Sequence, residues 1–338
     1  MTAAEALAAI ARAHTVPSPA LVSALVDALG PGGSCALDPS VPPAVWRAAL
    51  SGPAAAFLAR PGKDLRARLV RAGWVLAGRR ADQLPEGLAR VIEILHAGSL
   101  IVDDVQDAAR ERRGGPALHH LVGEPLAINT GSWMYFWALT ELSQLAVPGA
   151  VEAALATLVA CHQGQALDLA ARIDTLAMRE VPAVVAATTR LKTGRLCRFA
   201  TELGARAAGA SPAAVLDIGA FGERTGIALQ MFDDLGSVGS RRAKAREDLV
   251  HARPTWPWAW LAEQDDPFVW ARFTHDLASV VAGVGYPDAL ADGLAERILT
   301  TGKARALQQL DAALASLGGS SEALTIAAEL RDMERVYG

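Results

Sequence analysis

Leu88-Ala89-Arg90-Val91-Ile92-Glu93-Ile94-Leu95-His96-Ala97-Gly98-Ser99-Leu100-Ile101-Val102-Asp103-Asp104-Val105-Gln106-Asp107 is a greasy stretch that ends in acids. Leu88, Val91, Ile92, Leu95, Ser99 and Val102 recur at intervals of three and four, so they share one face of a helix. Asp103 and Asp107 then stand at i and i+4, which stacks their carboxylates one above the other. Two such carboxylates repel unless cations lie between them. Magnesium suits that place, because it takes one or two protein carboxylates together with substrate phosphate oxygens. The plain alternative for an isolated acidic triplet is a solvated helix end.

A second helix of the same kind follows much later. Gly226-Ile227-Ala228-Leu229-Gln230-Met231-Phe232 runs into Asp233-Asp234, although the residue four after Asp233 is Ser237, not an acid. Acids that close two greasy helices are a common way to build a metal site inside a helical bundle. Leu155, Leu158, Val159, His162, Ala166 and Leu169 predict another apolar helix face. Breaks are expected at Gly30 to Gly33, Pro42-Pro43, Gly114 to Pro116, Pro148-Gly149, Gly204 to Pro212 and Gly236 to Gly239. The stretches between them suit helices, and no hairpin signature, repeat or dividing linker is evident. The expectation is an all-α fold with one large helical domain over residues 46–338 and an N-terminal helical segment over 1–45.

Composition agrees. Of 338 residues 51% are hydrophobic but only 5% aromatic, so the core is built mainly from Ala and Leu, which favour helices over strands. The net charge of −4 gives no reason to expect nucleic acid as a partner. Cys35, Cys161 and Cys197 are too scattered for a disulfide framework or a zinc site and read as buried thiols in a reducing compartment. The start lacks a basic segment followed by an apolar core, and no apolar run approaches the ~18 residues of a membrane span. A cytoplasmic protein is expected.

The basic residues are local. Arg112 and Arg113 follow the first acids, and the planar fork of arginine matches phosphate oxygens. Lys63 and Arg66 come just after Pro61-Gly62, at an expected helix start. Lys192-Thr193-Gly194 lies in a helical stretch, and Lys244 and Arg253 follow the second acids. Acids for metals together with several fixed cations suggest a ligand rich in negative charge. A diphosphate fits.

At this point the chain resembles the trans-isoprenyl diphosphate synthase (polyprenyl synthetase) family, from about residue 60 to 260. The segment His96 to Asp107 is similar to the family's first aspartate-rich motif, and Arg112-Arg113-Gly114 to the Arg-Arg-Gly that follows it. Gly164-Gln165-Ala166-Leu167-Asp168-Leu169 and Lys192-Thr193-Gly194 resemble two further signatures. Gln230-Met231-Phe232-Asp233-Asp234 resembles the second aspartate-rich motif. Asp248 and Pro254-Thr255-Trp256-Pro257 match the segment that closes the site. Six motifs in order are specific where any one is weak.

The resemblance implies a helical bundle of the isoprenoid synthase type around a central active-site cavity, a homodimer, and transfer of an allylic prenyl group to isopentenyl diphosphate. It implies that Asp103 and Asp107 hold two magnesium ions and Asp233 a third. Arg112, Lys192 and Lys244 would grip the allylic diphosphate. Lys63, Arg66, His96 and Arg113 would bind the diphosphate of isopentenyl diphosphate, with Arg253 a further cation near the site. Thr193 and Gln230 would lie near the developing cation, and Gln165 and Asp168 would line the cavity.

Several features depart from the family pattern. Ser237 stands where an acid is usual, Arg253 replaces a lysine, and Asp64 sits where a third basic residue is common. Each touches efficiency more than reaction type. Gly98 and Ser99, small residues five and four before Asp103, would leave the chain-length pocket open beside Leu95, favouring a C20 or longer product. Trp133 to Trp137 could form another floor or simply pack the core. His119, His120, His162 and His251 fit no metal site. Two other readings stay open: a terpene cyclase-like lyase of the same fold, which would have no use for the second diphosphate site, and a non-catalytic partner subunit, which should have lost the metal carboxylates.

Overall fold

The computed structural model describes residues 18–62, 64–239, 242–264 and 266–316. Lys63 and residues 1–17 of the expected N-terminal segment lie outside them. The fold is all-α. Among the described residues the only strands form one short hairpin, Glu111–Arg112 with Gly115–Pro116. The chain divides into two compact units, one of residues Met1–Leu155 and Ala200–Val215, the other of Ala156–Phe199 and Leu216–Gly338.

In the first unit the main helices are α1 (Ser18–Leu29), α2 (Gly52–Leu58), α3 (Leu65–Leu76), α4 (Glu86–Gln106), α5 (Leu118–Val122) and α6 (Glu124–Gln144), with a short helical turn over Pro43–Trp46 and a π-helical one over Arg47–Ser51. Helix α4 carries the stretch quoted first. Leu88, Val91, Ile92 and Leu95 are all buried, each contributing ~1.5–3 kcal/mol from burial. It ends where Asp107 takes the C-cap position and Ala108 turns to φ +50°. Its main packing partner is α6, and the two cross at Gly98 and Gly131. A Cβ on Gly98 would lie 2.7 Å from the Gly131 carbonyl oxygen, and a Cβ on Gly131 would lie 2.8 Å from the Gly98 oxygen. The backbones therefore touch there.

Glycine shapes a second crossing in the same way. A Cβ on Gly73 would lie 1.9 Å from the Thr201 oxygen, and one on Gly204 would lie 1.9 Å from the Val70 oxygen. The break expected at Gly204 to Pro212 falls between Ala207 and Pro212. Gly204 itself still lies inside Arg195–Ala207, because close backbone approach needs a residue without a side chain.

The second unit contains most of α7 (Ala150–Ala170), then α8 (Val181–Thr189), a π-helical turn over Arg190–Gly194, and the first part of α9 (Arg195–Ala207). Helices α10 (Pro212–Gly239), α11 (Arg242–Val250), α12 (Trp256–Ala262), α13 (Pro267–Val281) and α14 (Pro287–Ala315) follow. Every residue of α12 is buried, and Gly302 of α14 packs so closely that a Cβ would lie 2.5 Å from the Trp260 ring. Asp266 caps α13, its carboxylate accepting from the N–H of Phe268 at 3.1 Å and Val269 at 3.0 Å.

Other expectations are corrected. Helix α10 runs through Gly236 and ends at Gly239, so the expected break falls at the far end of the range Gly236 to Gly239. On α7 the buried side is Ala154, Thr157, Ala160 and Gly164. Leu155, Val159 and Leu169 are exposed. Small residues face inward because Gly164 meets the backbone of the π-helical turn, where a Cβ would lie 2.6 Å from the Lys192 nitrogen. Finally, Arg113-Gly114 joins two paired strands with positive φ at both positions. That is what a two-residue hairpin turn needs, although Arg is not the residue that usually advertises it.

Candidate active site

The first unit gathers cations around α3 and α4. Arg66 stands in the first turn of α3, and its Nη1 lies 2.9 Å from Nε2 of His96. Since the guanidinium can only donate, the imidazole nitrogen accepts, and His96 is neutral. Burial and the charges of Arg66, Arg113 and Arg112 hold its pKa well below the ordinary histidine value. Glu93, one turn before His96, is buried and accepts from the Ala67 N–H at 3.2 Å, which ties the start of α3 to α4. Burial pushes the Glu93 carboxyl upward, against the pull of Arg66.

Arg113 joins this cluster from the hairpin. Its guanidinium lies over the Phe57 ring at 5.3 Å. The hairpin itself is clamped by Arg60, whose Nη1 donates to the carbonyl oxygens of Arg112 at 3.0 Å and Pro116 at 2.8 Å. Arg60 carries no motif signal, because its task is backbone contact. Asp64 faces the same group: Arg113 Nη2 and Asp64 Oδ1 lie 3.3 and 3.4 Å from one point, the position a Cβ on Gly62 would occupy. Burial raises the Asp64 pKa, with Arg68 and Arg113 opposing.

At the end of α4 the N–H of Asp107 donates to the Asp103 carbonyl at 2.8 Å, one helical turn. Asp103 is half-buried, Asp107 is buried, and Asp104 is fully buried. Arg112 binds Asp104 through Nε at 2.6 Å and Nη2 at 2.5 Å, and approaches Asp103 at 3.9 Å. Burial raises the Asp104 pKa despite that partner.

In the second unit the π-helical turn presents Lys192 and Thr193. Lys192 Nζ lies 2.7 Å from Asp168 of α7. Thr193 Oγ1 donates to Gln230 Oε1 at 3.0 Å, and Gln230 Nε2 donates to Asp234 Oδ1 at 2.8 Å. The other oxygen of Asp234 accepts from the Trp256 N–H at 3.0 Å, and Trp256 Nε1 reaches Thr189 at 3.1 Å. Asp234 thus joins α10 to the start of α12. Burial pushes it up to about 6, with Lys244 opposing.

Asp233, half-buried, pairs with Lys244 of α11. Burial works against the Lys244 ammonium, but Asp233, Asp248 and Asp234 outweigh it, and its pKa is pushed up to about 12. Asp248 is pushed up to about 7 by burial, with Lys244 and Arg253 opposing and Asp234 adding to the rise. Arg253 Nη1 lies 3.8 Å from Asp248. Ser237 is buried and donates to the Asp234 carbonyl at 2.7 Å within its own helix. Gln165 is half-buried on α7, one residue past the contact of Gly164 with Lys192.

Gly98 stands at the α4–α6 crossing, where a Cβ would lie 2.7 Å from the Gly131 carbonyl oxygen. Leu95 is buried and Ser99 half-buried, its hydroxyl donating to the His96 carbonyl at 2.8 Å. The run from Trp133 to Trp137 is divided around α6, with Met134 and Trp137 in the core and Phe136 exposed. Cys197 is buried as expected, but Cys35 and Cys161 are only half-buried.

Among the described residues, no group of three or more His, Cys, Asp or Glu side chains could hold a metal ion by itself. Each acidic helix end instead offers one or two hard oxygen donors beside fixed cations. That donor set suits magnesium, which completes its shell with substrate oxygens and water. No helix among the described residues is long and apolar enough to cross a membrane.

The chain is thus an all-α protein whose acidic helix ends stand beside fixed cations. The family described as Polyprenyl synthetase matches residues 47–270, more than half of the chain, and the chain is a member of that family. It is 34% identical over 211 residues to a geranylgeranyl pyrophosphate synthase of Fusarium fujikuroi, covering 61% of this chain and 49% of the relative. A geranylgeranyl pyrophosphate synthase of Penicillium canescens is 36% identical over 160 residues, covering 46% and 45%. The chain spans about half the length of the curated relatives it matches. Two solved structures share the fold. A decaprenyl diphosphate synthase from Rhodobacter capsulatus has a TM-score of 0.76 at 21% identity, covering 99% of this chain and 98% of its own. A polyprenyl synthase from Caulobacter crescentus CB15, complexed with calcium and isoprenyl diphosphate, has a TM-score of 0.74 at 23% identity, covering 94% of both.

Proposed function

We propose that this protein is a magnesium-dependent trans-prenyltransferase that joins isopentenyl diphosphate to an allylic diphosphate and gives a linear product of C20 or longer. The observation that carries this is the cluster of Arg66, His96 and Arg113. A lyase that ionises a single diphosphate needs no such second anion site. The relatives named as geranylgeranyl pyrophosphate synthases support the C20 class.

In this reading Asp103 and Asp107 would hold two magnesium ions and Asp233 a third. Bound magnesium supplies Lewis-acid stabilisation of the charge that grows on the leaving diphosphate. Arg112, Lys192 and Lys244 act on the same charge through fixed donors, which count for most where water is excluded. Arg66 and Arg113, with Lys63, take the diphosphate of isopentenyl diphosphate. Neutral His96 offers one donor there without adding a charge that burial would oppose. Thr193 and Gln230 would lie near the developing allyl cation, Asp168 holds Lys192 through their 2.7 Å ion pair, and Gln165 would line the cavity. Binding the second substrate separately makes the bond-forming step an oriented one. The new double bond forms when a proton leaves the carbon next to the cation and passes to the released diphosphate.

A homodimer accompanies this reading, supported by Ile128 and Phe136 on α6, which are 45% and 67% exposed. A cytoplasmic location is supported by three free cysteines. The test is incubation of the purified protein with magnesium, isopentenyl diphosphate and each of the C5, C10 and C15 allylic diphosphates. Linear products in five-carbon steps are expected. A cyclic hydrocarbon from one substrate alone, or no product in any mixture, overturns the proposal.

A further inference from the structure

His119 and Asp104 are both buried, and each has one polar atom without a hydrogen-bond partner: Nδ1 of the imidazole and Oδ2 of the carboxylate. Helix α5, which carries His119, packs on α4, which carries Asp104. The two side chains are near enough for the histidine charge to draw the Asp104 carboxyl downward. The other carboxylate oxygen of Asp104 is already taken, because Nε and Nη2 of Arg112 bind it at 2.6 and 2.5 Å.

Two buried polar atoms that lack partners, on side chains of two packed helices that interact electrostatically, call for a bond between them, or for one water that serves both. We propose that His119 is a positioning residue for Arg112. Its ring, directly or through one buried water, hydrogen bonds to the inner oxygen of Asp104 and fixes that carboxylate as the anchor of the guanidinium. Asp104 stands in sequence between Asp103 and Asp107. A rotation of its side chain would release Arg112 and add a competing carboxylate beside the two metal-holding ones. With His119 behind it, Asp104 stays turned inward, and the outer nitrogens of Arg112 keep one direction.

This deepens the prenyltransferase reading and rests on its assignment of Arg112 to the allylic diphosphate. The test needs no turnover. The full-length protein is titrated calorimetrically with inorganic diphosphate in magnesium chloride, as wild type, His119→Phe, Arg112→Gln and the double variant. His119→Phe is expected to weaken binding about tenfold in the wild-type background, the worth of one hydrogen bond to a charged group. In the Arg112→Gln background the same change is expected to do nothing further, because contacting residues couple. His119→Asn, which keeps a donor, recovers part of the loss, and it carries the same cycle if His119→Phe does not fold. Equal losses in both backgrounds, or none in the wild type, overturn the positioning role while leaving the functional reading in place. A wild-type protein that takes up no diphosphate overturns both.

Discussion

Gly98 and Gly131 each lie against the other's backbone at the crossing of α4 and α6, and a Cβ on Gly98 would lie 2.7 Å from the Gly131 oxygen and 2.9 Å from Met134 Cβ. Both obstacles are parts of the packed core, and one is backbone, so neither can swing aside. Gly98→Ala is therefore expected to cost ~1–3 kcal/mol, the range of overpacked cores, as read by urea unfolding. Gly98→Phe should yield little folded protein, not a shorter product. Ser99 is only half-buried, so Ser99→Phe is the better probe of product length. A shift toward shorter products with unchanged stability is expected, and an unchanged product distribution would place the floor elsewhere.

Asp64 adopts φ +51° and ψ +22° immediately before α3, without capping that helix through its side chain. This left-handed conformation is tolerated by Gly, Asn and Asp and resisted by branched side chains. Asp64 is an acid among cations, but the backbone gives position 64 a separate reason to be Asp. Asp64→Gly and Asp64→Asn should keep wild-type stability to within ~0.5 kcal/mol. Asp64→Val should lose ~1–2 kcal/mol and raise the KM for isopentenyl diphosphate, since Arg66 follows in the first turn. A lower KM in Asp64→Asn would show that the charge of Asp64 competes with the substrate.

Much of this was legible in the sequence, for reasons that lie in particular residues. The face of α4 could be read because Leu88, Val91, Ile92 and Leu95 are large and bury area. The buried face of α7 could not, because Ala154, Thr157, Ala160 and Gly164 carry little hydrophobic signal. The larger Leu155 and Val159 lie outside and misled the periodicity. Gly204 looks like a helix end because a glycine that permits close approach is spelled like one that ends a helix. At the site, Arg66, His96 and Arg113 were marked by charge and motif spacing. Arg60 and Trp256 act through backbone groups, Arg60 on two carbonyls and Trp256 by its own N–H, and nothing in their neighbours' identity announces that.

Arg60 gives a direct test of whether the hairpin sets the direction of Arg113. Its two bonds to the Arg112 and Pro116 carbonyls hold a turn whose first central residue has φ +51°. Arg60→Ala removes both and is expected to cost ~1–3 kcal/mol in hairpin order. The KM for isopentenyl diphosphate should rise about tenfold, while that for the allylic substrate changes less. Arg60→Lys keeps the charge but not the fork, so it should recover little. Equal effects on both substrates would mean that the hairpin does not distinguish them.

Asp248 supplies a pH test with a definite sign. Its carboxyl is raised from 3.8 to about 7 in the folded protein, chiefly by burial. Between those values the folded chain keeps a proton that the unfolded chain has released, so this group's contribution to stability falls as pH rises. Lys244, at about 12 in the folded protein, keeps its charge throughout that window and does not alter the direction. Replacing Asp248 by Asn removes the titration without removing the volume. The stability of Asp248→Asn relative to wild type, from urea unfolding between pH 4 and 8, should therefore rise with pH up to about 7 and then level off. A difference independent of pH would mean that Asp248 is ionised throughout, with Lys244 and Arg253 outweighing its burial.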